Sequence, residues 1–524
     1  MPDYMFLLES RLSPDQRAAM MRVQELASAL GFNLYLTGGT VRDLVTGATL
    51  RDLDFTVEGN PSKLARELEK GGAEILLEDE KLRHVEILFA GEVEGSISAA
   101  RDDHYVRPGT RPEVRWSTIM EDLRRRDFSL NAIAISLNPA SRGLLLDPTN
   151  GLSDIERGEV RALTIHSFTN QPARLLRVLR FAARMGFKVE ARTQEWFDLA
   201  IERELHKTIA PEDGGSELRE AAREERPSVA LKAWEEHDLM EAVSPLLAKK
   251  HPDYEAIGRL MKVREDLMMA GFRPRLASPM LLAILGRMKD RELSGALTKA
   301  GFKSAEADAV MNFEEKAMAV QKELVGRKLE APIDAYKFIE KMSTETVAYL
   351  LAESNNSSAV SKIKAYLNKW RPMRSALPQV AMELQTLGME HGAKFDEVVE
   401  QVFAMQLTGR GKTPEEREKI LRKLSGIREV PKKKEKEKKP AKADVKAQAA
   451  ASAEAKQKHS AVWRRAARRG PGSTMAAKRP RSPRQNPGRK RHQRKKPGRN
   501  SDARWRNIPE ENVRMRVAIL AQEF

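Results

Sequence analysis

Near residue 150 the spacing of apolar side chains changes period, and that change limits what the chain can fold into. Before it, short apolar runs stand between turn residues, as in "FNLYLTGG", "LDFTVEG", "AEILLE", "HVEILFAG" and "AIAISLN". These read as strands, with stretches of helical spacing between them. After it, apolar residues recur every three or four positions, as in "LRVLRFAARMGF" and "SVALKAWEEHDLMEAV". Residues 1–150 therefore predict a small α+β head of sheet and helices, and residues 151–430 an all-helical remainder. No repeat of fixed period is present, so a solenoid is not expected.

A third texture follows. Residues 431–500 hold 25 Lys and Arg against four Asp and Glu, while 501–524 hold four of each. Of the formal charge of +17, that leaves about −4 on residues 1–430. The basicity belongs to a tail with almost no apolar side chains, which cannot offset chain entropy by burial and is expected to be disordered. Such a run attracts phosphate backbones without regard to sequence. A solubilising linker is the alternative. The last stretch, "PEENVRMRVAILAQEF", has the opening of a short helix. There is no cysteine, which excludes disulfides and thiolate metal sites and fits a cytoplasmic protein. The N-terminus "MPDYMFLLESRLSPDQ" has acids where a signal peptide has basic residues, and runs such as "SPMLLAIL" are too short to cross a bilayer.

The stretch with the most chemistry is "LYLTGGTVRDLVTGATLRDLDFTVEG", residues 34–59. A strand runs into Gly38 and Gly39, where missing β-carbons let backbone amides approach a bound group, and Thr40 is placed to cap the helix that follows. A helix N-terminus behind such a turn is an anion site, and Arg42 adds positive charge for a phosphate. Asp52 and Asp54, two apart on a strand, project from one face. Side by side they repel unless a cation lies between them, and hard oxygen donors suit Mg²⁺. Such a pair holds the metals of a phosphoryl-transfer site.

These motifs, with "EDLRRRDFSLNAIAISL" (121–137), "LLDPTNGLSDIERGEVRAL" (145–163) and "PARLLRVLRFAARMGF" (172–187) in the same order, resemble the class II tRNA nucleotidyltransferase (CCA-adding) and poly(A) polymerase family. The resemblance spans roughly residues 20–430 and not the tail. It implies a polymerase-beta-like catalytic head (1–150), a helical neck that recognises the base (151–245) and a helical body and tail that bind RNA (246–430). It further implies that Gly39 and Arg42 touch the triphosphate, that Asp52 and Asp54 bind Mg²⁺, that Arg126 grips the nucleotide and that Asp127 lies near its ribose. Arg174, Arg177 and Arg180 match its nucleotide-binding arginines. Their spacing agrees: positions 174, 177, 180 and 184 fall within about 120° of arc on a helix. CTP, ATP and the tRNA 3′ end are the implied partners.

The chain departs from that family at three positions. Asn170 and Gln171 stand where it usually has two acids before the proline, and the second acid pairs with the arginine to read the incoming base. A carboxylate only accepts, favouring C and A, whereas the Gln171 amide can also donate unless a neighbour such as Asn170 pins it. Ser96 stands where an aspartate is common, with Glu94 on the same strand face as a candidate third carboxylate. The His237–Asp238 pair has no companion histidines and reads as a helix surface pair, and "LGMEHGAK" reads as a helix connection. The readings are thus addition of CCA, of CC or of A to tRNA; a poly(A) polymerase, disfavoured because "EKLRHVEILFAG" replaces its arginine-rich stretch; or a catalytically weakened RNA-binding protein.

Ending the chain after residue 430 is expected to leave catalysis intact while raising the Kd for RNA and flattening its salt dependence, since counterion release scales with phosphates neutralised. Equal affinity and salt slope with and without residues 431–524 would remove the tail as an RNA arm.

Overall fold

Seven strands at the N-terminal end make one mixed sheet. In a computed structural model of the protein, which describes residues 3–272 and 274–426, they are β1 (Asn33–Thr37), β2 (Leu53–Glu58), β3 (Glu74–Asp79), β4 (His84–Phe89), β5 (Val93–Ala99), β8 (Ala134–Ser136) and β9 (Leu145–Leu146). Between β5 and β8 a separate two-stranded ribbon pairs β6 (Arg101–His104) with β7 (Glu113–Trp116). The sheet order is β3-β4-β5-β2-β1-β8-β9. Only β2 and β5 run parallel; the other neighbours are antiparallel.

One face of the sheet is dry. Leu34, Leu36, Phe55, Val57, Val85, Ile87 and Ile97 share a core with residues of two helices, Pro14–Ala29 and Pro61–Lys70. Both helices start as their sequences dictate. Ser13 and Gln16 form a reciprocal capping box, Asn60 accepts from the Ser62 and Lys63 amides, and each has proline at its first position. Each fully buried Leu, Ile or Val side chain contributes about 1.5–3 kcal/mol. With the alternate positions of β1, β2, β4 and β5 spoken for, the intervening side chains face the other way, into an open cleft.

The remainder is helical, as the 3.6 spacing predicts, except for a short parallel ladder of Glu159–Val160 with Lys188–Val189 that the expectation of an all-helical stretch missed, and one core runs through it from Phe128 to Leu421. The helix Arg174–Met185 is amphipathic: Leu175, Leu176, Val178 and Leu179 are buried in that core, and it ends at left-handed Gly186. Trp234, fully buried on the helix Pro227–Glu236, donates its indole N–H to the Leu176 carbonyl at 2.9 Å. The helix Pro211–Arg223 also carries buried side chains of this core.

The helix after the Gly-Gly turn differs from expectation. It begins at Gly38, so Thr40 lies inside its first turn and caps nothing. The Thr40 hydroxyl instead donates to the Asp52 carbonyl at 3.0 Å and accepts from the Asp54 amide at 2.7 Å. A residue chosen for capping chemistry here ties the helix start to the aspartate strand. The expected basic tail and terminal helix, 431–524, lie outside the described residues.

Candidate functional site: a carboxylate pair beneath an arginine wall

The open face of the sheet floors a cleft of about 900 Å³. Register places Asp54 beside Ser96, and Ser96 beside Glu86, across β2, β5 and β4. Asp52 stands one residue before β2 begins. The Ser96 hydroxyl donates to Asp54 Oδ1 at 2.9 Å. Neither Asp54 Oδ2 nor the Asp52 carboxylate has a hydrogen-bond or ion-pair partner among the described residues. Burial and the neighbouring Asp54 charge push Asp52 up to about 7. Gly38, at φ +61°, and Gly39 pass close to Asp54, and a β-carbon on Gly39 would stand 2.9 Å from Asp54 Oδ2. Any larger residue at 39 displaces the carboxylate, which is why glycine is needed there.

Above the pair, arginines make one wall. Arg126 donates to Asp122 at 2.7 Å and to Thr56 and the Asn131 carbonyl at 3.1 Å each. Arg177 bridges Asp127 at 2.9 Å and Glu217 at 2.6 Å. Arg180 bridges Glu217 and Glu224, at 3.0 and 2.8 Å. Arg184 pairs with Asp43 at 2.5 Å and approaches Glu224 at 3.6 Å. Arg42, only 4% exposed, turns inward to Asp43 and Asn131, at 2.9 Å each. Arg174 is buried too, but its Nη1 reaches only Ser167, at 3.1 Å, and its Nε has no partner. Burial lowers its pKa, and also that of Arg184, which falls to about 10 beside the like charge of Arg42.

All ten residues singled out from the sequence line this one cleft: Gly39, Arg42, Asp52, Asp54, Arg126, Asp127, Gln171, Arg174, Arg177 and Arg180. They differ in what is left free. The fork of Arg180 is taken by carboxylates, whereas the Asp52 and Gln171 side chains have no hydrogen-bond partner among the described residues. Asn170 therefore does not pin the Gln171 amide as expected; its own carbonyl accepts from the Gly109 amide of the β6–β7 loop, at 3.2 Å. Glu94 does not join the aspartates as a third carboxylate. Arg275 at 2.9 Å and Arg223 at 3.5 Å hold it, and no cluster of three or more His, Asp or Glu that could bind a metal exists among the described residues. His237 stands in the turn that ends the helix Pro227–Glu236, not on its surface as expected; its Nδ1 donates to the Ala233 carbonyl at 2.9 Å and its ring packs edge-on to Phe197.

Glu217 and Glu224 went unrecognised in the sequence. They lie seven positions apart, hence on one helical face, and a run of carboxylates at that spacing shortly after an arginine-striped helix is the signal that points to them.

A glycine turn thus lies by paired aspartates at the open face of a mixed sheet, walled by arginines. Residues 34–161 match the family described as Poly A polymerase head domain. Across 425 residues the chain is 24% identical to the A-adding tRNA nucleotidyltransferase of Geobacter sulfurreducens, covering 80% of this chain and 48% of that protein. The protein of the same name from Halalkalibacterium halodurans is 37% identical over 187 residues, 36% of this chain and 44% of the relative. That of Aquifex aeolicus is 29% identical over 373 residues, 70% and 44%. The chain spans about half the length of these curated relatives. A solved apo form of a CCA-adding enzyme superposes with a TM-score of 0.43 at 24% identity, covering 81% of this chain and 99% of that one. The chain is thus similar to class II tRNA nucleotidyltransferases, and its residues 34–161 to a poly(A) polymerase head domain.

Asp127 links this wall to stability. Burial alone would raise its pKa, but the charges of Arg177 and then Arg174 bring it down to about 2 from the ordinary 3.8. A carboxyl depressed on folding stabilises above its unfolded pKa and loses that stabilisation as pH falls through the folded value. Asp127→Asn is expected to lose about 2 kcal/mol at pH 7, and the gap from wild type to narrow between about pH 4 and pH 2. Urea denaturation of both proteins across that range measures it; a gap independent of pH would show that the charge is not what stabilises.

Proposed function

We propose that the chain is a template-independent RNA nucleotidyltransferase that transfers C and/or A from CTP or ATP to the 3′ end of tRNA. The observation that carries this reading is the Asp52–Asp54 pair by the Gly38–Gly39 turn, without an ion-pair partner among the described residues, in a cleft where most other charges are paired. In the reaction the RNA 3′-hydroxyl oxygen attacks the α-phosphorus, the bond to the β-phosphate breaks, and pyrophosphate leaves.

The residues divide by what they can do. Asp52 and Asp54 suit Mg²⁺: both are hard oxygen donors, and burial, then the Asp54 charge, raises the Asp52 pKa despite Arg51 and Arg223 nearby. Held there, the ion would assist loss of the hydroxyl proton and offset charge on the departing pyrophosphate. Ser96 orients Asp54 by its hydrogen bond. Gly39 lets the triphosphate approach the helix N-terminus. Arg126 and Arg174 stand at the nucleotide, and Arg174 has donor capacity unused by the protein. Arg42, Asp127, Arg177 and Arg180 act chiefly by holding this wall in shape, since their charges are already matched within it.

Gln171 and Arg174 are proposed to read the base. The Watson–Crick edges of C and A each offer an amine and an acceptor nitrogen, so an amide oxygen at 171 and a guanidinium at 174 satisfy both. The relatives named A-adding favour terminal A addition among the specificities. tRNA body contacts fall to the helices of 246–430. Among the described residues no helix is long and apolar enough to cross a membrane, and a tRNA-directed enzyme of this kind would work in the cytoplasm.

Purified protein with Mg²⁺ and single labelled triphosphates is expected to add one A to tRNA lacking only that residue. Extension by CC would assign the other half of the task, a ladder of A residues would mean poly(A) synthesis, and no incorporation on any tRNA would overturn the reading. In the same assay Asp52→Ala or Asp54→Ala should lower the rate by about 10³-fold or more, with RNA binding retained. Near wild-type turnover in either variant would sink the metal assignment.

Because the Gln171 amide is unpinned, selection against U and G should be looser than a carboxylate provides. Gln171→Asp replaces a neutral hydrogen bond with a charge-assisted one, worth about 1 kcal/mol, and should sharpen discrimination about fivefold. Single-nucleotide incorporation with each of the four triphosphates measures this. Unchanged ratios would mean that residue 171 does not read the base.

A further inference from the structure

A second concavity on the head, of about 540 Å³, shares no lining residue with the catalytic cleft. It lies between the helix Pro61–Lys70, the turn joining β3 to β4, and the end of β7. Lys63, Arg66 and Lys70 are spaced i, i+3, i+7 and so form one exposed stripe along that helix. Arg83 brings a fourth cation. Against these stand Glu67, already paired with Lys70 at 2.7 Å, and Glu80. The Lys63 ammonium has no hydrogen-bond or ion-pair partner among the described residues, and Arg66 has only a long contact of 3.9 Å to Glu78. The concavity is therefore positive on a part of the chain, residues 1–430, whose formal charge is about −4.

Its far wall is aromatic. Trp116 is 53% exposed, and the Arg83 guanidinium lies 3.7 Å from the ring centroid. Arg83 holds a left-handed backbone, φ +51°, and its Nη1 is buried with no hydrogen-bond partner. An arginine kept in a costly conformation beside a solvent-facing indole is the kind of local strain that accompanies ligand sites. A bare anion would satisfy the lysine stripe and leave the indole in water. A ligand with both a planar ring and a phosphate uses both halves.

We propose that this concavity is a second RNA subsite that takes one unpaired nucleotide, its base stacked against Trp116 and Arg83 and its phosphates met by Lys63 and Arg66. Stacking of this sort tolerates any base, because every base has a π-face, and the cations fix the backbone beside it. The subsite rests on the RNA-transferase reading and extends it: it would hold RNA by a contact made outside the cleft, without taking part in the chemistry.

The test uses the full chain and a short single-stranded oligoribonucleotide carrying 5-iodouridine. Irradiation is expected to cross-link it to the peptide bearing Trp116, as located by mass spectrometry. In about 0.3 M salt, where diffuse charge attraction is weak, fluorescence anisotropy should show Kd raised about tenfold by Trp116→Ala and by the Lys63→Ala/Arg66→Ala pair. Trp116→Phe should largely restore binding, and KM for ATP should not move in any of them. No cross-link at Trp116, an unchanged Kd, a loss not rescued by Phe, or displacement of the RNA by polyglutamate at equal charge would each overturn the subsite. Cross-linking and affinity are read without catalysis, so a wild-type protein that fails to incorporate nucleotide counts against the RNA-transferase reading alone.

Discussion

Three arginines on one helix, Arg180 and Arg184 withdrawn from water and Arg177 largely so, demand carboxylates, and the fold is arranged to supply them. Arg177, Arg180 and Arg184 alternate with Asp127, Glu217, Glu224 and Asp43 in a continuous chain of ion pairs. Asp43 comes from the helix after the glycine turn, Asp127 from the segment between the helix Ile119–Arg124 and β8, and Glu217 and Glu224 from the helix Pro211–Arg223 and the residue following it. Removing a member whose partner is then left charged and unsolvated typically costs about 3–5 kcal/mol, and less at Asp127, where Glu217 still holds Arg177. The ion pairs thus join the sheet of the head to the helices that follow, and they shape the wall above the aspartates.

Against that matched charge, Asp52 and Asp54 are the exception. Arg51 and Arg223 lie near enough to lower the Asp52 pKa, yet burial and Asp54 outweigh them. Everything around the pair is built to keep the carboxylates in place rather than to neutralise them: the Thr40 hydroxyl on the backbone either side, the Ser96 hydroxyl on Asp54, and Gly39 too small to displace it. Local charge left unbalanced by the protein is what a cation site requires, and most other charges in the cleft, Arg174 apart, are paired.

The strands and the helical half were legible because each has its own period, and the periods are set by backbone geometry. β6 and β7 escaped because "RDDH" and "EVRW" are short and charged, with no apolar face to betray them. Thr40 was legible as a polar partner for backbone, but its actual partner is twelve to fourteen residues away, which capping rules do not reach. Glu94 was a reasonable third carboxylate by strand alternation; Arg275, far along the chain, takes it.

By itself the sequence determined the glycine turn, the aspartate spacing, the arginine stripe and the boundary between sheet and helix. These depend on neighbours within a few positions, where φ, ψ and side-chain direction follow from residue type. Only the tertiary structure decided which arginines are spent on carboxylates and which retain free donors, that Gln171 stands without a pinning partner, and that Arg83 lies on Trp116 beside a lysine stripe. Those outcomes turn on contacts between residues tens to hundreds of positions apart, and the charge of a side chain says nothing about which opposite charge the fold will bring to it.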